Sequence, residues 1–474
     1  MSIFGGSSFG LPRTRPLSSK RAHVVSVLDI GTTKVVCLIA RLTPRRETSV
    51  LPGRTHNVEV IGLGHQRSYG IKSGVIGDLD AVENVVRLAV DAAERMAGLT
   101  VESLIVNVSA GRIGSDVYTA TIDLGGQEVE SGDLRKVLIA AGQKSQGNDR
   151  AVLHSLPTGF SLDGERGIRD PLGMYGDVLG VDMHVVTAER AALRNLELCI
   201  NRAHLTVEGV VATPYASGLA ALVDDEVELG CAAIDMGGGM TTISVFAEGK
   251  LIHTDAIGIG GHHVTTDLAR GLSTRIEDAE RLKVVHGSAV ANGADDREVV
   301  SVPPIGEDDR DQPTQVPRAL LTRIISARIE ETLELLRDRI QKSGFSPVVG
   351  KRVVLTGGAC QLTGSCAPHS RQERAYRSSD GRVGSAGSCQ RTCLLDRGRA
   401  DDLSADGGPG NTCRAGRVVL ALRQWKQPDR PYGPMAEREF LSLPTGPARF
   451  GQGKSVEMTW PAWRCGRKEK ELVS

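Results

Sequence analysis

The chain has 474 residues and equal numbers of basic and acidic side chains, 57 of each, so its formal net charge is zero. That balance excludes the strong basic field of a nucleic-acid-binding protein, and no apolar run reaches the length of a membrane span. Residues 1–22 carry Arg13, Arg15, Lys20 and Arg21 without a hydrophobic core, which reads as a disordered tail rather than a secretory signal.

Taken in order, residues 24–30, 34–42 and 57–65 are rich in Val and Ile and predict three strands joined by turns. Val82, Val85, Val86, Ala89, Ala93 and Met96 recur at helical spacing, so 78–97 predicts a helix with Asp78 or Asp80 as N-cap and Gly98 as its stop. Leu104 to Ser109 is a further buried strand. A compact α/β insertion follows over 112–187: a strand from Thr119 to Leu124, a helix from Ser131 to Ala141, a strand from Ala151 to Leu156, a Gly/Pro-rich loop from Asp163 to Gly180, and a strand from Val181 to Thr187. Helix 188–203, strand 207–211 and helix 214–223 lead to a second half that repeats the opening scheme, with strands at 231–235, 242–246 and 251–259. Helices are expected at 262–270 and 278–285, and an exposed acidic loop or ribbon at 291–316. A long amphipathic helix at 318–342 and a last strand at 353–356 complete the pattern.

The cysteines divide along the chain. Cys37, Cys199 and Cys231 lie in apolar surroundings and read as buried thiols. The other six begin at Cys360. Cys389 and Cys393 have the spacing of half a zinc site, but no matching pair follows, so no metal centre is assigned to them.

Chemistry is concentrated in glycine-rich turns that follow strands. The first is Asp29-Ile30-Gly31-Thr32-Thr33-Lys34, and the second is Asp235-Met236-Gly237-Gly238-Gly239-Met240-Thr241-Thr242. Glycine lets backbone N–H groups approach phosphate oxygens, threonine hydroxyls add donors, and an Asp can hold a hydrated Mg²⁺. Two such hairpins can clamp one nucleotide between two half-molecules. A third turn, Gly357-Gly358-Ala359, ends the last strand. His154, His262 and His263 read as packing or capping residues rather than catalytic ones.

The three turns, in this order, resemble the phosphate-1, phosphate-2 and adenosine motifs of the actin-like ATPase superfamily. The implied fold is α/β and ribonuclease H-like, with two domains around a nucleotide cleft. Within that superfamily the chain resembles the FtsA family of bacterial cell-division proteins over about residues 22–364. Further resembling text is Ser73-Gly74-Val75-Ile76-Gly77-Asp78-Leu79, Val106-Asn107-Val108-Ser109-Ala110-Gly111, Asp278-Ala279-Glu280-Arg281-Leu282-Lys283 and Val354-Leu355-Thr356-Gly357-Gly358-Ala359. The insertion stands where that family carries its own subdomain. The implied layout is a first domain at 23–111 and 188–225, the insertion at 112–187, and a second domain at 226–364 with a small subdomain at 262–330.

By the resemblance, ATP and Mg²⁺ are the cofactors. Gly31, Thr32, Thr33 and Lys34 contact the β- and γ-phosphates, and Gly237, Gly238, Gly239 and Thr241 close from the other side. Asp29 and Asp235 orient Mg²⁺ and its waters. Gly357, Gly358 and Ala359 admit the adenosine, with Glu280 and Lys283 at adenine or ribose. Thr213 occupies the position where related filament-forming ATPases place a Glu or Gln to orient the attacking water; a threonine hydroxyl is a poor base, which implies tight binding and at most slow hydrolysis. The resemblance also implies the C-terminal peptide of the tubulin-like ring protein FtsZ as partner, at the small subdomain. Self-association into filaments, other divisome proteins and a peripheral place on the inner membrane at the division site complete the implied role. Alternative readings within the superfamily are a small-molecule kinase, for which no spare carboxylate base is evident, and a pilus or shape scaffold.

Beyond Gly364 the pattern changes. Residues 365–474 hold fifteen arginines and five cysteines but no isoleucine, and Val418 to Leu422 is the single short apolar run. Such a segment offers little burial to offset its ordering entropy. The expectation is a disordered tail or a change of reading frame. A membrane-binding amphipathic helix is not evident: Arg449 to Arg467 has Phe450, Met458, Trp460 and Trp463, but Pro461 and glycines interrupt it.

Overall fold

The computed structural model describes residues 18–44, 56–145, 150–291, 293, 295–305, 313–349 and 352–363. The expectations for residues 1–17, for the acidic stretch 307–311 and for 365–474 lie outside these described residues.

Strands β1 (His23–Ile30) and β2 (Lys34–Pro44) form an antiparallel hairpin, and β3 (His56–Arg67) pairs with β2. A two-residue hairpin, β4 (Ile71–Lys72) and β5 (Val75–Ile76), leads into α1 (Leu79–Ala97). Asp78 caps that helix by accepting from the Ala81 N–H at 3.0 Å, and Gly98 ends it at φ 66°. Val82, Val85, Val86, Ala89, Val90 and Ala93 are its buried stripe. The helix lies almost on the backbone of β3, because Gly62 and Gly64 present no side chain; a Cβ on Gly64 would overlap the Ala89 carbonyl oxygen. Strand β6 (Ser103–Val108) then pairs parallel with β1.

The insertion has its own four-stranded antiparallel sheet. It comprises β7 (Gly114–Asp123), α2 (Ser131–Ser145), β8 (Arg150–Leu162), β9 (Glu165–Ile168) and β10 (Val178–Glu189), in the order β7-β10-β8-β9. Residues 163–180, expected to be loop throughout, contain β9 and the start of β10. Backbone pairing of Phe160 to Leu162 with Glu165 to Ile168 overrides the turn-forming composition there. Leu134, Val137, Leu138, Phe160, Leu179, Val181 and Met183 make a separate small core.

The chain returns to the first sheet through α3 (Arg190–Arg202) and β11 (Thr206–Ala212), completing the order β11-β6-β1-β2-β3. Helix α4 (Thr213–Ala221) and α5 (Asp224–Leu229) lead into the second sheet. Here β12 (Cys231–Met236), β13 (Thr241–Ala247) and β14 (Lys250–Ile257) repeat the meander of β1, β2 and β3. Helices α6 (Gly261–Gly271) and α7 (Ile276–His286), the ribbon β15 (Val299–Val302) and β16 (Thr314–Pro317), the 25-residue α8 (Arg318–Lys342) and the short α9 (Ser346–Val349) follow. Strand β17 (Val353–Thr356) pairs parallel with β12, giving the order β14-β13-β12-β17. The ribbon is not wholly exposed: alternation turns Val300 and Val302 inward, into one core with Leu321, Ile325 and Ile329 of α8. Arg328 of α8 pairs with Asp267 of α6, with 3.1 Å from Nη2 to Oδ1.

The two halves are therefore copies in topology: a strand with Asp as its penultimate residue, flanked on one side by a parallel strand and on the other by an antiparallel meander. Helix α4 connects their interiors. Its Tyr215 and Ala216 share a core with Cys231, Ala233, Phe246 and Leu251 of the second sheet. Cys37, Cys199 and Cys231 are buried free thiols, as expected, and burial pushes Cys37 and Cys231 up to about 12.

Candidate functional site

The duplication extends to the atoms that close each turn. In the first hairpin the Gly31 N–H donates to the Lys34 carbonyl at 3.0 Å; in the second the Gly237 N–H donates to the Met240 carbonyl at 2.9 Å. Asp29 stands opposite Val36 across its hairpin, and Asp235 stands opposite Thr242 across the other. The two turns face each other and line one cleft. Its walls are Asp29, Gly31, Thr32, Thr33 and Lys34 on one side, and Asp235, Gly237, Gly238, Gly239 and Thr242 on the other, with Asn107, Ser109, Thr213 and Ser217 at the base.

The hairpins approach closely because glycines stand where they meet. A Cβ on Gly238 would come 2.5 Å from Thr33 Cγ2, and one on Gly239 would overlap Thr32 Oγ1. The second hairpin is held from behind by α6: the Gly261 N–H donates to the Gly237 carbonyl at 3.0 Å, and the His262 N–H to the Gly238 carbonyl at 2.7 Å. The first amides of α6 are thus used inside the protein. His263 caps the same turn, its Nδ1 accepting from the Gly260 N–H at 3.2 Å, which matches the capping role expected of it.

Both carboxylates are fixed from below. Asn107 Nδ2 donates to Asp29 Oδ1 at 2.9 Å, Thr213 Oγ1 donates to Asn107 Oδ1 at 3.1 Å, and Ser109 Oγ lies 2.7 Å from Thr213 Oγ1. With Thr213 donating to Asn107, Ser109 must donate to Thr213, so the chain of donors runs in one direction toward Asp29. Asp235 Oδ2 accepts directly from Ser217 Oγ. Thr242 and Thr356 flank Asp235 on its two neighbouring strands, and both hydroxyls are buried with no hydrogen-bond partner among the described residues. Two carboxylates lining the cleft, with the unengaged Thr242 hydroxyl beside Asp235, suit a hard cation that keeps most of its waters, and so fit hydrated Mg²⁺. Among the described residues no cluster of three or more His, Cys, Asp or Glu side chains forms a dedicated metal cage.

Thr241 requires a correction. Its side chain is buried and donates to the Ile259 carbonyl at 2.7 Å, away from the cleft, while the alternation of β13 turns Thr242 into the wall. The residues expected at the adenosine, Glu280, Lys283 and Gly357 to Ala359, lie outside the lining of this cleft. Lys283 Nζ donates to Glu280 Oε2 at 2.6 Å, to Thr265 Oγ1 at 2.9 Å and to the Gly261 carbonyl at 3.2 Å. Ala359 lies against Gly261, where a Cβ would be 3.2 Å away. Gly357, at φ 90°, passes so close to Asp235 that a Cβ there would overlap its Oδ1. Asn107, Ser109, Ser217 and Thr242 were not singled out from the sequence. Asn107, Ser109 and Thr242 fall in quoted motifs and Ser217 follows Thr213 by one helical turn, but none of these patterns says which carboxylate a side chain reaches.

Duplicated α/β halves meeting through paired glycine hairpins, with a carboxylate at the end of each inner strand, define an actin-like ATPase fold. Comparisons with known proteins give the family. A family model described as "Cell division protein FtsA" matches residues 232–396, reaching past Gly364, and another described as "SHS2 domain inserted in FTSA" matches residues 110–187. The cell division protein FtsA of Agrobacterium fabrum is 82% identical over 364 residues, covering 77% of this chain and 82% of that protein. The FtsA of Pseudomonas aeruginosa is 34% identical over 348 residues, covering 73% and 80%. Among solved structures, the PilM–PilN type IV pilus biogenesis complex gives a TM-score of 0.47 at 13% identity, over 72% of this chain and 83% of that one. MreB5 of Spiroplasma citri bound to ADP gives 0.42 at 12%, over 79% and 95%. The chain belongs to the FtsA family of cell division proteins.

Proposed function

We propose that this chain binds ATP with Mg²⁺ between its two hairpins and works at the division site as an assembling adaptor. The observation that carries the reading is the facing pair Asp29 and Asp235, each at the mouth of a glycine turn and each held in place from the cleft base. Gly31 to Lys34 and Gly237 to Gly239 would hold the phosphates by backbone and hydroxyl donors. Bound Mg²⁺ would neutralise phosphate charge. Glu280, Lys283 and the Gly357 to Ala359 turn would hold the nucleoside.

Hydrolysis is slow in this reading. Thr213, at the position of the water-orienting residue, already donates to Asn107 and offers no base. The nucleotide then acts chiefly on cleft closure and assembly. Family membership supports the FtsZ C-terminal peptide as partner, on the small subdomain around residues 262–330. Ile276, Val284 and Val285 give α7 an exposed apolar surface suited to a short peptide. Filament formation, contacts with other divisome proteins and peripheral attachment to the inner membrane belong to the same reading. Among the described residues no helix is long and apolar enough to cross a membrane.

The test is pelleting of the full chain with ATP or ADP, with and without FtsZ filaments and anionic lipid vesicles, alongside calorimetry with Mg²⁺–ATP. ATP-dependent co-pelleting with FtsZ is the expected result. Absence of binding heat together with nucleotide-independent pelleting would overturn the proposal.

A further inference from the structure

One short helix reaches both carboxylates. Thr213 and Ser217 are four residues apart on α4, so their hydroxyls share a face one turn apart. Thr213 connects to Asp29 of the first sheet through Asn107, with 3.1 Å and 2.9 Å hydrogen bonds. Ser217 donates directly to Asp235 of the second sheet. The helix itself has little freedom. Ser217 is buried at 6% exposure, and the next residue, Gly218, lies so close to Phe246 that a Cβ would be 2.7 Å from the ring Cζ.

Asp235 is confined on its other side as well. Its Oδ1 fills the space that a side chain on Gly357 would need. Thr242 and Thr356, its cross-strand neighbours, make no hydrogen bond that competes for it among the described residues. The hydroxyl of Ser217 is therefore the group that selects the rotation of this carboxylate, and α4 sets how far it stands from Asp29.

We propose that Ser217 is a positioning residue that holds Asp235 in the orientation required by hydrated Mg²⁺. Resting on the nucleotide reading of the cleft, it adds a residue that no glycine motif contains. Ser217 would touch neither phosphate nor metal. It would act as outer-sphere partners of metal-orienting carboxylates do, whose loss weakens metal affinity by roughly 10- to 100-fold. The signature is a selective change in Mg²⁺ requirement, because the backbone donors of the hairpins remain in place.

The experiment is calorimetric titration of the full chain with ATP in a Mg²⁺ series and in EDTA, for the wild type, Ser217→Ala, Ser217→Cys and Ser217→Thr, with a thermal melt of each. Ser217→Cys puts a weak, slightly larger donor in place of the hydroxyl and serves if Ser217→Ala fails to fold. Expected are a roughly tenfold rise in the Mg²⁺ concentration for half-maximal tightening in Ser217→Ala and Ser217→Cys, unchanged affinity in EDTA, and recovery in Ser217→Thr. An unchanged Mg²⁺ dependence overturns the assignment and leaves the nucleotide reading standing. An equal loss of affinity with and without Mg²⁺ shows a structural role only and also overturns it. A wild-type chain that binds no ATP under any condition removes the nucleotide reading and this inference with it.

Discussion

Gly239 of the second hairpin lies against Thr32 of the first, with Ser73 just beyond. A Cβ on Gly239 would overlap Thr32 Oγ1 and come 2.9 Å from Ser73 Cα. The threonine can rotate away, but the Ser73 backbone cannot, so a side chain at 239 wedges the two halves apart. Gly239→Ala should therefore leave each half folded while opposing closure of the cleft. Overpacking of this kind costs about 1–3 kcal/mol, which corresponds to roughly 5- to 150-fold in nucleotide affinity. Calorimetry with Mg²⁺–ATP should show that loss with a nearly unchanged melting temperature. A large drop in melting temperature would mean that the contact serves folding instead.

Adjacent threonines on β13 should separate structure from binding. Thr241 donates to the Ile259 carbonyl, so Thr241→Val leaves a buried acceptor unpaired. The expected cost is about 1–3 kcal/mol of stability, read by urea unfolding, with little direct effect on nucleotide. Thr242 has a buried hydroxyl without a partner among the described residues. Thr242→Val should be neutral or slightly stabilising and should weaken Mg²⁺–ATP binding. The reverse assignment of effects would restore Thr241 to the site.

A third prediction concerns the close packing of α1 on β3. Gly64→Ala forces a Cβ into the Ala89 carbonyl, which belongs to helix backbone and can yield only if α1 lifts from the sheet. Because that displacement disturbs the main core of the first half, the loss should exceed the usual about 1–3 kcal/mol for overpacking. Denaturant unfolding would detect it; a change below about 0.5 kcal/mol would show that the helix adjusts freely.

The elements that were readable in the sequence were those whose periodicity and punctuation agreed. Asp78 and Gly98 bracket α1 as caps, and β17 coincides with the expected Val353 to Thr356. The second hairpin announces itself because close backbone approach demands Gly237, Gly238 and Gly239 in a row, and the first by Gly31 followed by two threonines. What escaped was side-chain placement within those motifs. Whether Thr241 or Thr242 faces the cleft depends on the register of β13 against Asp235, which a Thr-Thr pair does not reveal. Asn107 reaches Asp29 only because β6 pairs in parallel with β1, a tertiary fact with no local signal. The short β9 was hidden because its Gly-containing text, Glu165 to Ile168, resembles loop, and long-range pairing decided it.

Three histidines at the junction of the insertion with the rest of the chain set the expected response to acid. His154 on β8 accepts from the Ala212 N–H through Nε2 at 2.9 Å, which requires a neutral ring. Burial holds its pKa down at about 3. His184 on β10 is also held at about 3, first by burial and then by His253 and His154 nearby. Burial lowers His253 on β14 as well, opposed by Asp255 and Asp116. In each case the folded-state value lies below that of the unfolded chain, about 6.5. The unfolded chain therefore takes up protons first as pH falls, and native stability declines from about pH 6.5 downward, approaching about 1.4 kcal/mol per pH unit for each neutral ring. For His154 and His184 the decline ends only near pH 3, where the folded forms also protonate. Urea unfolding at pH 7.5, 6.5 and 5.5 should show it. His184→Phe removes one such ring and its two nitrogens, which have no hydrogen-bond partner among the described residues. It should flatten the slope below pH 6.5 without lowering stability at pH 7.5, and an unaltered slope would mean that His184 is not held neutral.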